Sequence, residues 1–330
     1  MAELNASGSG LTLLDFAKRT DPTGKYQVVA ELLQQNNSIL DDIVYKEGNL
    51  ATGEQVSMRT GLPSVYWRKI GQPTPKSSST TAQNTFPFKM LKANSMESAD
   101  IIRLGGDIDQ ARLDALKTHM EAMNQEFSTA YFYGDPSTDE NEFRGLATTY
   151  SSLSSADEIS TNVLDAGGTG SDNASIYLVG HGIGKVYCAF PKGSSAGLQH
   201  TDNGEFSFND ENGTLRVFQD ILEWKATLVV QDWRFCVRIC NIDVSDLAGG
   251  SAADLPDFMI EAMSLLPNLD NACFYMNRKL HTYLRKQARN DVISGGGLTF
   301  DTIAGKKVAF FDEVPVKRVD ALLNTEAAVS

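Results

Sequence analysis

Residues 107–133 read DIDQARLDALKTHMEAMNQEFSTAYFY, and this stretch decides how the rest of the 330-residue chain is organised. Ile108, Ala111, Ala115, His119 or Met120, Met123, Phe127 and Ala130–Tyr131 recur at intervals of three and four. That spacing gathers apolar side chains on one face of a helix. Asp107 or Asp109 offers an oxygen to the free amides of the first turn, and Gly134, Asp135 and Pro136 stop the pattern. At about 1.5 Å per residue the helix is a rod of roughly 40 Å. Such a length is unusual for a compact enzyme domain and suits a protein that spans distance.

On the N-terminal side of this helix, residues 46–93 are extended and turn-rich. GEQVSMRT (53–60) and SVYWRKI (64–70) alternate polar with apolar residues, and FPFKMLKA (86–93) follows the polar interruption GQPTPKSSSTTAQNT (71–85). The pattern predicts a long two-stranded excursion with its tip in the Ser/Thr-rich run. A lone ribbon of this length is marginal in water, so it needs a partner surface. Residues 54–92 also hold Arg59, Arg68, Lys69, Lys76, Lys89 and Lys92 against Glu54 alone, a net +5 that leaves −18 for the remainder of a chain totalling −13. Further upstream, residues 1–45 alternate short helical patches with breaks at Pro22, Gly24 and Asn36–Asn37, as expected of an arm that runs over other structure.

Beyond the helix, residues 135–175 are acidic and rich in Ser, Thr and Gly, which predicts loops. ASIYLVGHGIGKVYCAFP (174–191) predicts two strands around a glycine-rich link. After a polar stretch (192–213), TLRVFQDILEWKATLVVQDWRFCVRICNIDVS (214–245) predicts two or three long strands. Pro256–Leu266 and Asp270–Gln287 read as helices, and KKVAFFDEVPVKRVDAL (306–322) as one strand with a rigid turn at Pro315. The class is α+β, with no internal repeat.

Composition excludes several functions. An apolar content of 42% with 22% charged residues is that of a soluble globular protein, and no apolar run is long enough to span a bilayer. The first sixteen residues lack a basic stretch followed by an apolar one, so no secretion signal is expected, and the chain is expected to work in a cytoplasm-like compartment. A net charge of −13 opposes non-specific binding to nucleic acid by the chain as a whole. Cys188, Cys236, Cys240 and Cys273 are too scattered for a disulfide framework, and Cys236 and Cys240 fall within a strand-like run. The histidines His119, His181, His200 and His281 show no paired metal-ligand spacing, so no metal or cofactor is expected. The tempting motif is Gly180-His181-Gly182-Ile183-Gly184-Lys185. A phosphate-binding loop would need glycine at Val179 and a hydroxyl at Val186, and a dinucleotide fingerprint would need glycine at Lys185 and a helix after it. A glycine-rich turn between strands is the expected reading. No G-x-S-x-G or H-E-x-x-H motif is present, so no catalytic residues are assigned.

The order of these parts resembles the major capsid proteins of tailed bacteriophages, which have the Hong Kong 97-like fold. The shared order is a wandering arm, an extended loop, a long spine helix and a mixed α/β axial domain. IYLVGHG…VYCAFPKGSSAGL, VVQDWRFCVRICNID, FYMNRKLHTYL and FFDEVPVKRVDALLNTE are also similar to the family, in particular to capsid proteins of short-tailed phages such as epsilon-15 and the Bordetella phage. The resemblance covers nearly the whole chain. It implies an arm at 1–45, an extended loop at 46–93, a peripheral domain at 94–165 and 200–247 with the spine helix at 107–133, and an axial domain at 166–199 and 248–330. In the family's usual order the peripheral strands follow the Asn-Arg helix, whereas here the block 214–245 precedes Met276-Asn277-Arg278. That block is therefore expected to supply the peripheral sheet in a permuted order.

The resemblance further implies a structural protein that is not an enzyme. It assembles with itself into pentamers and hexamers of an icosahedral head that encloses double-stranded DNA without reading its sequence. It is located in the virion, is assembled in the host cytoplasm, has no membrane contact, and works with scaffolding, portal and cement proteins. Arg59, Arg68, Lys69, Lys76, Lys89 and Lys92 are expected to meet acidic surface on the next copy, setting register more than affinity. The acidic body is expected to keep packaged DNA off the inner wall. Lys69 and Lys76 are placed where some capsids of this fold form a cross-link, a chemistry not expected here. Two alternatives stand beside this reading: an encapsulin-like nanocompartment shell, and a nucleotide-binding enzyme using Gly180–Lys185.

Overall fold

A single helix from Ile108 to Tyr133, 26 residues long, is the longest helical element among the described residues. The computed structural model describes residues 33–104, 107–210, 213–247, 253–290, 298–303 and 306–330. The strands are β1 (Tyr45–Glu47), β2 (Gly53–Gly61), β3 (Thr80–Pro87), β4 (Lys89–Ser98), β5 (Val163–Asp165), β6 (Asn173–Gly180), β7 (Val186–Phe190), β8 (Leu198–Asp210), β9 (Gly213–Val230), β10 (Cys236–Asp243), β11 (Ala272–Met276), β12 (Leu298–Ile303), β13 (Lys306–Phe311) and β14 (Val314–Arg318). The helices are α1 (Ala99–Leu104), α2 (Ile108–Tyr133), α3 (Leu146–Thr149), α4 (Leu255–Leu265) and α5 (Arg278–Asn290). The chain divides into two units.

The first unit takes, among the described residues, 33–37, 90–129 and 197–225. Strands β8 and β9 form a long antiparallel ribbon, from Leu198↔Trp224 to Asp210↔Gly213, with a bulge between Asp202 and Gly204. Helix α2 buries Ala111, Ala115, Met123 and Phe127 at four-residue steps, the stripe its sequence spells out. Phe127 stacks on Trp224 with ring centroids 4.1 Å apart, an aromatic anchor between helix and ribbon. One turn from the start of the same helix, Arg112 bridges Asp202 at 2.6 Å and Asp220 at 2.8 Å. Asp220 also accepts from His200 at 2.8 Å. Lys92–Glu223 and Arg103–Glu205 add ion pairs at 3.0 and 2.7 Å.

The second unit takes residues 38–89, 130–196 and 226–330. Its centre is a seven-stranded mixed sheet in the order β12-β13-β14-β11-β6-β10-β5. Strands β6 and β11 are buried at every position and β10 at nearly every one, so their sequences are runs of apolar residues with little alternation. From one face, Ala174, Ile176, Leu178, Val237, Ile239, Phe274 and Met276 pack with Leu255, Met259 and Ala262 of α4 and Leu280 and Leu284 of α5. The intervening Tyr177 meets Phe132, from the last turn of α2, at 5.2 Å between ring centroids.

On this same Tyr177 side lies a buried ion pair. Arg238 Nη2 donates to Glu326 Oε2 at 2.7 Å, and both side chains are under 8% exposed (5% and 7%). Glu326 also accepts from Ser175 Oγ at 2.5 Å and from Tyr133 Oη at 2.6 Å, while Arg238 Nη1 donates to the Tyr150 carbonyl at 2.9 Å. The C-terminal segment is held along its length by Asn173↔Glu326 bridging, by Val329 N to Asn241 Oδ1 at 2.7 Å and by Leu153 N to the Ser330 carbonyl at 3.3 Å.

Several sequence expectations need correction. The polar run 192–213 contains β8, because ribbon pairing needs backbone alignment and not apolar side chains. Residues 272–276 are a central strand and not the start of a helix. A five-residue apolar run carries no period that separates the two. Pro315 lies inside β14, and the turn before it is made at Asp312, which has a φ of 51°. SVYWRKI is not a strand, and β2 pairs instead with Thr80–Pro87 from the polar interruption. Block 214–245 does not form one sheet: the half-exposed part of β9 lies in the first unit, and the fully buried β10 lies between β5 and β6 in the second. Of the arm at 1–45, residues 1–32 lie outside the described residues.

Candidate assembly surfaces

The hairpin β2–β3 pairs Gly53↔Pro87 through Gly61↔Thr80 and, among the described residues, has no third strand in its sheet. Its root is built into the second unit, where Val56, Met58, Phe86 and Phe88 pack with Tyr187, Ala189 and Val229. Glu54, the one acid of this segment, is 1% exposed. It accepts from Lys46 Nζ at 2.7 Å, the Asn49 amide at 2.8 Å and Tyr187 Oη at 3.1 Å. Burial alone would raise its pKa, but these three donors outweigh it and hold the carboxyl below its ordinary value. Glu54 therefore fastens the root of the hairpin and does not offset the charge of its tip.

The tip, residues 62–79, has no strand partner. Leu62, Val65, Trp67 and Ile70 are 82%, 90%, 105% and 106% exposed. Internal structure there is limited to a turn closed by Gln72 N to the Lys69 carbonyl at 3.2 Å, Arg68 bonded to the Gln72 carbonyl, and Ser77 Oγ to the Ser64 carbonyl at 2.7 Å. An exposed indole beside three exposed branched aliphatics is the kind of apolar patch that marks an interaction surface. Sequence reasoning quoted these residues as strand alternation and missed their exposure. The available signal was SVYWRKI bounded by Pro63 and by Gly71-Gln72-Pro73, with no apolar strand to face it.

The six basic residues named from the sequence do not form one group. Arg68, Lys69 and Lys76 are exposed on the tip. Arg59 lies near the far end of β2 and lines a cleft of about 520 Å³ with Arg144, Ser160 and Trp233. Lys89 donates to the Glu140 carbonyl, and Lys92 is paired with Glu223. The last two are already engaged within the chain.

The glycine-rich motif joins β6 to β7 and opens no helix. Gly184 has a φ of 89°, and Lys185 N closes the turn on the Gly182 carbonyl at 3.0 Å. The Lys185 ammonium donates to Asn268 Oδ1 at 2.8 Å and the Asp270 carbonyl at 3.0 Å and sits over the Phe235 ring at 4.6 Å. It is a structural tie. His181 is buried with Nε2 2.9 Å from Tyr275 Oη, which itself donates to Asp42 Oδ2 at 2.6 Å. Burial pushes the His181 pKa down to about 4. The other histidines stand apart: His119 on α2, His200 against Asp220, and His281 half-buried on α5.

Cys188, Cys236, Cys240 and Cys273 are buried free thiols. Burial raises all four, Cys236 and Cys273 to about 12 and Cys240 to about 11. Among the described residues no group of three His, Cys, Asp or Glu side chains is arranged to hold a metal ion, and no helix is long and apolar enough to cross a membrane.

Comparison with solved structures identifies a full-length relative. A chain of the cryo-electron-microscopy structure of bacteriophage epsilon15 is 26% identical, with a TM-score of 0.77 over 100% of this chain and 99% of that one. The bacteriophage JBD30 capsid matches at 10% identity and a TM-score of 0.48 over 88% of this chain and 93% of that one. The SrpI encapsulin of Synechococcus elongatus PCC 7942 matches at 9% and 0.46 over 66% and 91%. Those two scores are too low to bear on function. No curated protein matches. The family model described as major capsid protein GP7 matches residues 21–330. With an α+β fold and a family match over nearly its whole length, the chain belongs to the GP7 family of phage major capsid proteins, structural components of the virion that assemble with themselves into the head shell.

Proposed function

We propose that the hairpin β2–β3 is the arm by which one copy grips the next within rings of five and six subunits. The observation that carries this reading is the tip: Leu62, Val65, Trp67 and Ile70 stand in solvent on a ribbon that, among the described residues, packs at its root. Exposed Arg68, Lys69 and Lys76 surround them on a chain whose net charge is −13, so the surface of a second copy is on average acidic. Apolar burial supplies the affinity, and the cations set the register. Lys89 and Lys92 act nearer the root, where they meet the neighbour after first bracing their own chain, and Arg59 acts from the cleft at the far end of β2.

In this reading the second unit carries the axial role and closes the rings, while α2 and the β8–β9 ribbon carry the peripheral role. The strand order is permuted from residue 226 onward and not across the whole 214–245 block. Contacts around each ring are head-to-tail and close by rotation. The shell is assembled in the host cytoplasm with scaffolding, portal and cement proteins, and encloses double-stranded DNA. Electron microscopy of the overexpressed chain, alone and with its phage's scaffolding protein, tests the proposal. Closed shells or sheets of five- and six-membered rings are expected. Particles that form equally well after Trp67→Ser and Ile70→Ser would remove the tip from the mechanism.

A further inference from the structure

Helix α5 is, like the hairpin segment 54–92, cationic on an acidic protein. Its sequence, RKLHTYLRKQARN (278–290), holds Arg278, Lys279, Arg285, Lys286 and Arg289 and no carboxylate. Leu280 and Leu284 are buried in the core, and Tyr283 packs against it, which fixes the helix's rotation. The opposite face then presents Arg278, Lys279, Thr282, Arg285 and Lys286, all exposed. Arg278 remains 71% exposed although it meets Asp320 at 3.4 Å, and Lys286 lies over the Tyr283 ring at 4.6 Å. From position 278 to position 289 the helix rises about 16 Å.

We infer that this face is a contact for the phosphate backbone of double-stranded DNA, and so marks the surface of the subunit turned toward the packaged genome. The inference rests on the shell reading above. Charge complementarity is one argument: duplex DNA carries about one negative charge per 1.7 Å of axis, a density that a single acid-free helix face can meet without reading sequence. The second is what the face lacks. The exposed large apolar residues of the described chain include five on the hairpin tip (Leu62, Val65, Tyr66, Trp67 and Ile70) and none on α5. Protein interfaces are anchored by buried apolar and aromatic side chains, whereas backbone contacts to nucleic acid need only cations. The tip therefore has the chemistry of a protein contact, and α5 that of a polyanion contact.

The test uses the full unassembled chain and a labelled mixed-sequence duplex of about 30 base pairs, with binding followed by anisotropy from about 20 to 200 mM salt. Lys279→Gln with Lys286→Gln is expected to make the slope of log K against log salt shallower by about 1.8, and Thr282→Arg to steepen it by about 0.9. A tip variant, Lys69→Gln with Lys76→Gln, is expected to leave the slope unchanged. Equal slopes for wild type and both α5 variants, or loss carried by the tip variant, would overturn the inference. So would absence of duplex binding at the lowest salt. Shell assembly is scored in parallel by electron microscopy. A folded α5 variant that no longer assembles would make this face an interface between copies, which also overturns the inference. Failure of the wild type to assemble would instead strike the shell reading itself.

Discussion

Replacing Glu326 by Ala removes one half of the most enclosed ion pair in the second unit. Arg238 would keep its bond to the Tyr150 carbonyl but lose the carboxylate 2.7 Å away, and Ser175 and Tyr133 would lose their acceptor. Burial alone would depress the arginine pKa, but Tyr177 and Glu326 together hold it above its ordinary value, so the guanidinium stays charged. Stranding a buried charge in this way costs about 3–5 kcal/mol. For a unit of about 220 residues, with each kcal/mol worth about 2–4 °C, that loss lowers the melting temperature by about 6–20 °C. Differential scanning calorimetry of the unassembled chain reads it directly. Replacing both partners by apolar residues, Arg238→Met with Glu326→Leu, is expected to recover most of the loss, because no unpaired charge then remains. A single-variant shift below about 3 °C, or a double variant worse than the single, would refute the reasoning.

Trp67→Ser with Ile70→Ser is expected to change the unfolding free energy of the unassembled chain by less than about 0.5 kcal/mol, since both side chains are already in water, while abolishing or slowing shell formation. His181 makes stability pH-dependent. Its folded pKa of about 4 lies below the unfolded value near 6.5, so the unfolded chain binds the extra proton between them. Stability is full above pH 6.5 and falls by up to about 3 kcal/mol as pH drops to 4, a slope that His181→Phe should flatten in urea titrations at stepped pH. All four cysteines should react with a thiol reagent only in denaturant; rapid labelling of the native chain would contradict their burial.

What the sequence showed and what it hid follow from the range of the interactions. The helix Ile108–Tyr133 was legible because its stripe is a local, repeating signal. The glycine turn at 180–185 was legible because the residues that follow it have no helical spacing. The division of 214–245 was hidden because both halves are strand-forming, and only burial separates them: β9 is half-exposed through residue 225 and β10 is enclosed. Glu326 was invisible for a different reason. Its partner lies 88 residues away, and nothing near Ala327-Ala328 distinguishes a buried glutamate from a solvated tail. The tip's exposure was hidden because alternation predicts a strand only when another strand is present to take its hydrogen bonds.

Among the described residues the β2–β3 sheet has only two strands and therefore two open edges. Near the root the Asn49 side chain takes the Gln55 amide and carbonyl at 2.9 and 2.6 Å, but farther along β2 and β3 the groups that point away from the shared ladder have no described strand beside them and offer a template to any extended chain that drifts past. Pro63, Pro73, Pro75 and Pro87 interrupt that template around the tip and at one strand end, where a missing amide blocks further pairing. β2 itself, from Gly53 to Gly61, holds no proline, which makes this strand the expected nucleus of irreversible fibrous aggregation when the protein is concentrated without its neighbours.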